Sequence, residues 1–97
     1  MGPTPLGSRA RGFTGVVVGV GVAANHDGLE GAELERRLLE IGFVEGARVE
    51  ILHEGAIGRD PIAVRLDDMR VALRRREANA VMVQADTGEA VYLAAAE

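Results

Sequence analysis

The chain has 97 residues, of which 47% are apolar and 27% charged, with no cysteine, no tryptophan and a formal net charge of −4. Area scaling buries roughly 64% of the unfolded surface for a chain of this mass, which makes one small domain and excludes a second. Without cysteine there is no disulfide framework, thiolate zinc site, iron–sulfur cluster or cysteine nucleophile, and since all 11 basic residues are arginine there is no lysine Schiff base and no P-loop lysine.

The acidic balance, with a pI near 5.2, disfavours nucleic acid as a partner, and Phe13, Phe43 and Tyr92 are too few aromatics to stack bases or line a proline-peptide groove. The longest apolar run, Phe13 to Ala24, has 12 residues, well short of the roughly 20 that a membrane-spanning helix needs, so direct membrane insertion is not expected. Arg9 and Arg11 ahead of that run, with Val22-Ala23-Ala24 at its end, also have the look of a secretory leader. Against this, three glycines and five valines without a leucine make a poor leader helix and a good strand, which favours a cytoplasmic location.

In chain order, residues 1–11 are rich in Pro, Gly and Ser and are expected to form a flexible arm, followed by one domain over 12–84 and an extension over 85–97. Thr14, Val16, Val18, Val20 and Val22 alternate with Gly15, Gly19 and Gly21, so the spacing predicts a curved strand with its valines inward. Asn25 to Gly31 is turn-rich. Leu34, Leu38 and Ile41 then recur at helical spacing over Ala32 to Ile41, and Gly42 suits the left-handed residue that ends helices. Alternation predicts strands at Arg48–Glu54, Ile62–Asp67 and Arg70–Arg74, separated by a Gly55–Pro61 loop and a tight Asp67-Asp68-Met69 connection. One helical turn at Arg75–Asn79 leads to a last core strand at Val81–Gln84. Beyond a turn at Asp86–Glu89, Ala90 to Leu93 could add a strand or fray.

Several features invite chemistry. Gly19-Val20-Gly21-Val22-Ala23-Ala24 fits a dinucleotide fingerprint, but no helix follows directly, so the glycines are read as structural and no cofactor is expected. His26-Asp27 and His53-Glu54 are the histidine–carboxylate pairs that could suggest a metal; adjacent strand residues point to opposite faces, so His53 and Glu54 do not converge and no metal site is assigned. Ser8, Thr4, Thr14 and Thr87 are the only aliphatic hydroxyls, and neither histidine has a nucleophile context, so no enzyme is expected. Arg74-Arg75-Arg76, with Arg70 in the same outward phase as Arg74, is either a solvated face or a docking site for an acidic partner patch. Ile57, in the glycine-rich link and followed by Arg59, either stands exposed as an anchor or folds back over the core.

Taken in order, Leu38-Leu39-Glu40-Ile41-Gly42-Phe43-Val44-Glu45-Gly46, then Val49 and Ile51, then Gly58-Arg59-Asp60-Pro61-Ile62, then Val71-Ala72-Leu73-Arg74-Arg75 with Glu77-Ala78, the sequence resembles the FeoA family from about Thr14 to Val83. The resemblance implies a mainly β, small SH3-like barrel of five to six short strands with one short amphipathic helix. It also implies a non-enzymatic, cytoplasmic protein of bacterial ferrous iron uptake that binds the cytosolic part of the membrane GTPase-transporter FeoB. A domain that senses or delivers the metal ion itself is the alternative. The pattern departs from the family at Glu45, where proline is usual, at Asp67-Asp68, where glycine is common, and in the length after Gln84. Ile57, Arg59, Arg70, Arg74, Arg75 and Arg76 are the candidate partner-binding residues.

Overall fold

The computed structural model describes residues 2–21 and 28–86. Expectations that rest on His26, Asp27, the Val22–Ala24 stretch and the Ala90–Leu93 strand lie outside the described residues. The elements in chain order are β1 (Thr4–Pro5), a 3₁₀ turn (Leu6–Ser8), β2 (Thr14–Val20), α1 (Gly28–Ile41), β3 (Arg48–Ile57), β4 (Asp60–Leu66), β5 (Met69–Leu73), α2 (Arg75–Ala78) and β6 (Val81–Ala85). The strands form one sheet in the order β1-β6-β2-β3-β4-β5, antiparallel at every pairing. This is the mainly β architecture the alternation predicts.

The core is hydrocarbon from β2 to β6: Val17, Val49, Ile51, Ile62, Val64, Leu66, Leu73, Val81 and Val83 are all buried. Leu34 and Leu38 close it with one face of α1, and Phe43 fills the turn after that helix. Gly42, at φ 128°, ends α1 in a conformation that a side chain would strain.

Four expectations are corrected. Thr4–Pro5 is not part of a loose arm but pairs with Val83 and Met82, and Leu6 is fully buried. In β2 the even valines do not point inward over its first half: Gly15 and Val17 are buried there, while Val16 and Val18 are only half-buried. The reason is Phe13, the large apolar residue on the odd phase. Its ring lies over Gly15, and a Cβ on Gly15 would strike that ring and the Gln84 carbonyl. A register shift between Val17 and Gly19 then reverses the phase, and Val20 packs on the core.

α1 begins at Gly28, one turn before the expected Ala32, because packing of Leu34 and Leu38 overrides the weak helix preference of Gly28 and Gly31. The Gly55–Pro61 loop is instead a strand hairpin, with β3 running to Ile57, β4 resuming at Asp60 and only Gly58-Arg59 turning. Both turn residues have positive φ, 66° and 60°, the backbone of a tight turn that matches sheet twist. The Asp60-Pro61 peptide is cis.

Candidate partner-binding surface

Three arginines in sequence at the start of a helix leave its axis about 100° apart, so Arg74, Arg75 and Arg76 cannot share a face. Arg74 sits at the cap of α2, exposed, its backbone N–H donating to Glu77 Oε1 at 3.1 Å. Arg76, two residues on in the same turn, is exposed and reaches Glu30 at 3.2 Å. Arg75 turns inward. Its Nη2 donates to Glu54 Oε2 at 2.6 Å, its Nη1 to the carbonyls of Arg9 at 2.6 Å and Gly7 at 3.0 Å, and its Nε to the Arg59 carbonyl at 2.8 Å. Its backbone N–H donates to Asp60 Oδ1 at 2.9 Å. With side chains only 20% and 19% exposed, Arg75 and Glu54 form a half-buried charged knot. It ties together the N-terminal segment, the β3–β4 hairpin and α2.

Arg75 therefore does not present its guanidinium to solvent as a docking residue; it holds other candidates in place. The Arg59 carbonyl it grips belongs to the hairpin turn, whose tip carries Ile57 at 87% exposure. The two readings of Ile57 are resolved toward exposure. Burying an isoleucine side chain contributes about 1.5–3 kcal/mol, a contribution that the fold leaves unused at Ile57. Arg59 is exposed beside it, and Arg70 stands exposed on β5 opposite Arg65.

Ion pairing separates the arginines. Arg36, Arg37, Arg48, Arg65, Arg75 and Arg76 each reach a carboxylate, whereas Arg9, Arg11, Arg59, Arg70 and Arg74 reach none among the described residues. Of these, Arg70 lies on β5, Arg74 directly follows it, and Arg59 lies in the β3–β4 turn. A groove of about 560 Å³ runs between α1 and α2, lined by Glu33, Leu34, Arg37, Asp60, Arg74 and Glu77, with the Arg37–Glu77 pair at 2.8 Å across it. Among the described residues that line it there is neither a histidine nor a hydroxyl nucleophile.

Of the histidine–carboxylate pairs, His53 is exposed and Glu54 is held by Arg75, so the two do not converge. Among the described residues no three His, Asp or Glu side chains gather as a metal site would require. Gly19 lies inside β2 opposite Met82, a strand position rather than a phosphate loop. Among the described residues no helix is long and apolar enough to cross a membrane.

Residues 4–85 match the FeoA domain. The chain belongs to the FeoA family. This FeoA domain is 34% identical to Stenotrophomonas maltophilia FeoA, a procaryotic SH3 domain protein solved with zinc and put forward as a ferrous iron transport activating factor; that likeness covers 81% of this chain and 87% of that one at a TM-score of 0.65. It is 29% identical to the FeoA protein of Chlorobium tepidum over 90% of this chain and 77% of that one, TM-score 0.66. The FeoA-like protein of Clostridium acetobutylicum, at 24% identity, covers 90% and 91% with a TM-score of 0.71 and shows the fold alone. A manganese-dependent transcriptional repressor shares that fold at 23% identity, the match spanning 42% of its chain. No curated protein matches the sequence. The FeoA domain here is thus SH3-like, in a small accessory family associated with ferrous iron transport and not a known enzyme family.

Proposed function

We propose that this chain is a non-enzymatic regulatory protein of bacterial ferrous iron uptake that acts in the cytoplasm by binding the cytosolic part of the membrane GTPase-transporter FeoB. Membership of the FeoA family supports the pathway. The observation that carries a docking role is Ile57, 87% exposed on a hairpin braced from beneath by Arg75 and bordered by the unpaired Arg59. A hydrocarbon core, and a groove whose described lining residues include no histidine or hydroxyl, support a role carried by the outer surface. Chemistry belongs to the partner, and iron is its cargo.

The test is binding of the purified cytosolic part of FeoB to the intact chain and to Ile57→Asp. Loss of the anchor weakens binding about 10-fold or more, the equivalent of burying one isoleucine. A folded Ile57→Asp protein that binds as the parent does overturns the anchor.

A second reading, a domain that senses or delivers the metal ion, is favoured by the zinc held by the Stenotrophomonas maltophilia relative. Calorimetric titration with ferrous iron decides it. Stoichiometric binding, abolished in the His26→Ala/His53→Ala double variant, would move the function to the ion itself.

A further inference from the structure

The sheet has two edges, and they are unalike. β1 is two residues long and one of them is Pro5, which has no N–H to offer, so that edge is closed to a further strand. β5 is five residues long and, among the described residues, is bonded on one side only. The two-residue turn Asp67-Asp68 makes Leu66 and Met69 a hydrogen-bonded pair, and alternation extends this to Val64 with Val71 and Ile62 with Leu73. Arg70 and Ala72 fall between those pairs, so their N–H and C=O groups point away from β4. Among the described residues no backbone bond outside the ladder reaches Met69–Leu73.

We infer that β5 is a docking edge that takes an extended, acidic segment of a partner protein as a seventh strand. This rests on the interaction role proposed above and gives that surface its partner chemistry. An added strand lies about 4.8 Å from β5, which puts its outward side chains beside Arg70, Ala72 and Arg74. The two arginines have no carboxylate partner among the described residues, and the small Ala72 between them leaves room for the incoming side chains. Carboxylates at alternate positions of the incoming strand complete both pairs. A second copy of this chain is the poorer occupant: antiparallel pairing of two β5 strands brings Arg70 of each toward the arginines of the other, and like charges across a ladder are destabilising. The same arginines therefore repel self-association and select an acidic guest.

The probe is a blocked peptide of alternating Glu and Val, about eight residues long, close to the usual length of a strand. Added to the intact chain, it slows hydrogen exchange of the Arg70 and Ala72 amides about 10-fold or more, with no such change at β1. Arg70→Glu/Arg74→Glu, which touches no core residue, loses that protection, and so does a probe N-methylated at alternate residues, which keeps its charge and cannot donate to the edge. Unchanged exchange at Arg70 and Ala72, or equal binding of the N-methylated probe, overturns the inference. So does a double variant whose sole effect is dimerisation in sedimentation, since that would make the arginines guards against self-pairing and nothing more. Binding of the FeoB cytosolic part is scored separately: its failure to bind sinks the wider reading, while the exchange result alone decides the strand addition.

Discussion

Arg75 shows how one side chain can set the shape of a surface it does not join. Its guanidinium and backbone N–H bind chain segments up to 68 residues apart in sequence, and Gly7 packs so closely on α2 that a Cβ there would strike the Asn79 side chain and the Arg75 carbonyl. Removing one partner of a buried pair costs more than the pair contributed, because the other charge is left without water or counterion. Arg75→Met should therefore lower stability by about 3 kcal/mol, from stranding Glu54 and releasing three carbonyls. Arg70→Ala, on the exposed face of β5, should stay within about 0.5 kcal/mol. Urea denaturation of the two variants checks the contrast, and equal midpoints would show that the knot is incidental.

At the scale of elements, β1 and the 3₁₀ turn are held by core packing as well as by ladder bonds. Leu6 is buried beneath α2 and β6, so Leu6→Ala should cost about 3 kcal/mol, a core value and not the near-zero expected of a loose arm. A calorimetric melting shift of about 10 °C or more is the corresponding observation for a chain of this size. This segment also marks a limit of what periodicity can carry. α1, β3, β4, β5 and β6 were legible because each has at least two apolar residues at the right spacing for its partner face, whereas α2, with Ala78 as its one apolar residue, was read as a single turn linking two strands. Leu6 stands alone between prolines and glycines, and one leucine has no period. In β2 the even-numbered valines offered a phase that is false over the first half of the strand, since Phe13 and the space lost at Gly15 decide which side faces the core, and neither shows as alternation. The hairpin was hidden because Gly58-Arg59 lacks the usual Asn-Gly wording, although Gly58 did announce a turn. The exposed candidates Ile57, Arg59, Arg70 and Arg74 could be picked from sequence; the inward course of Arg75 could not, since it depends on Glu54 and on carbonyls of Gly7, Arg9 and Arg59. Helical geometry alone did forbid a common face for Arg74, Arg75 and Arg76.

For the whole molecule, charge poses a question that the fold answers. The net charge of −4 should repel an acidic partner, while the unpaired Arg59, Arg70 and Arg74 should attract one locally. At physiological ionic strength the Debye length is about 8 Å, shorter than the breadth of the domain, so distant carboxylates are screened and the nearby arginines set the encounter. The two views differ in sign. If net charge governed association, added salt would relieve repulsion and speed binding to the acidic partner. If the β5 edge governs it, raising salt from about 50 to about 500 mM should slow association about 10-fold while dissociation changes little, and Arg70→Glu/Arg74→Glu should flatten that dependence. Ile57→Asp should do the reverse, leaving the association rate near its original value and speeding dissociation about 10-fold, because an apolar anchor acts after contact has been made. Stopped-flow or biosensor kinetics across that salt range separates the steering arginines from the anchoring isoleucine, and association that quickens with salt would assign the encounter to net charge and not to this edge.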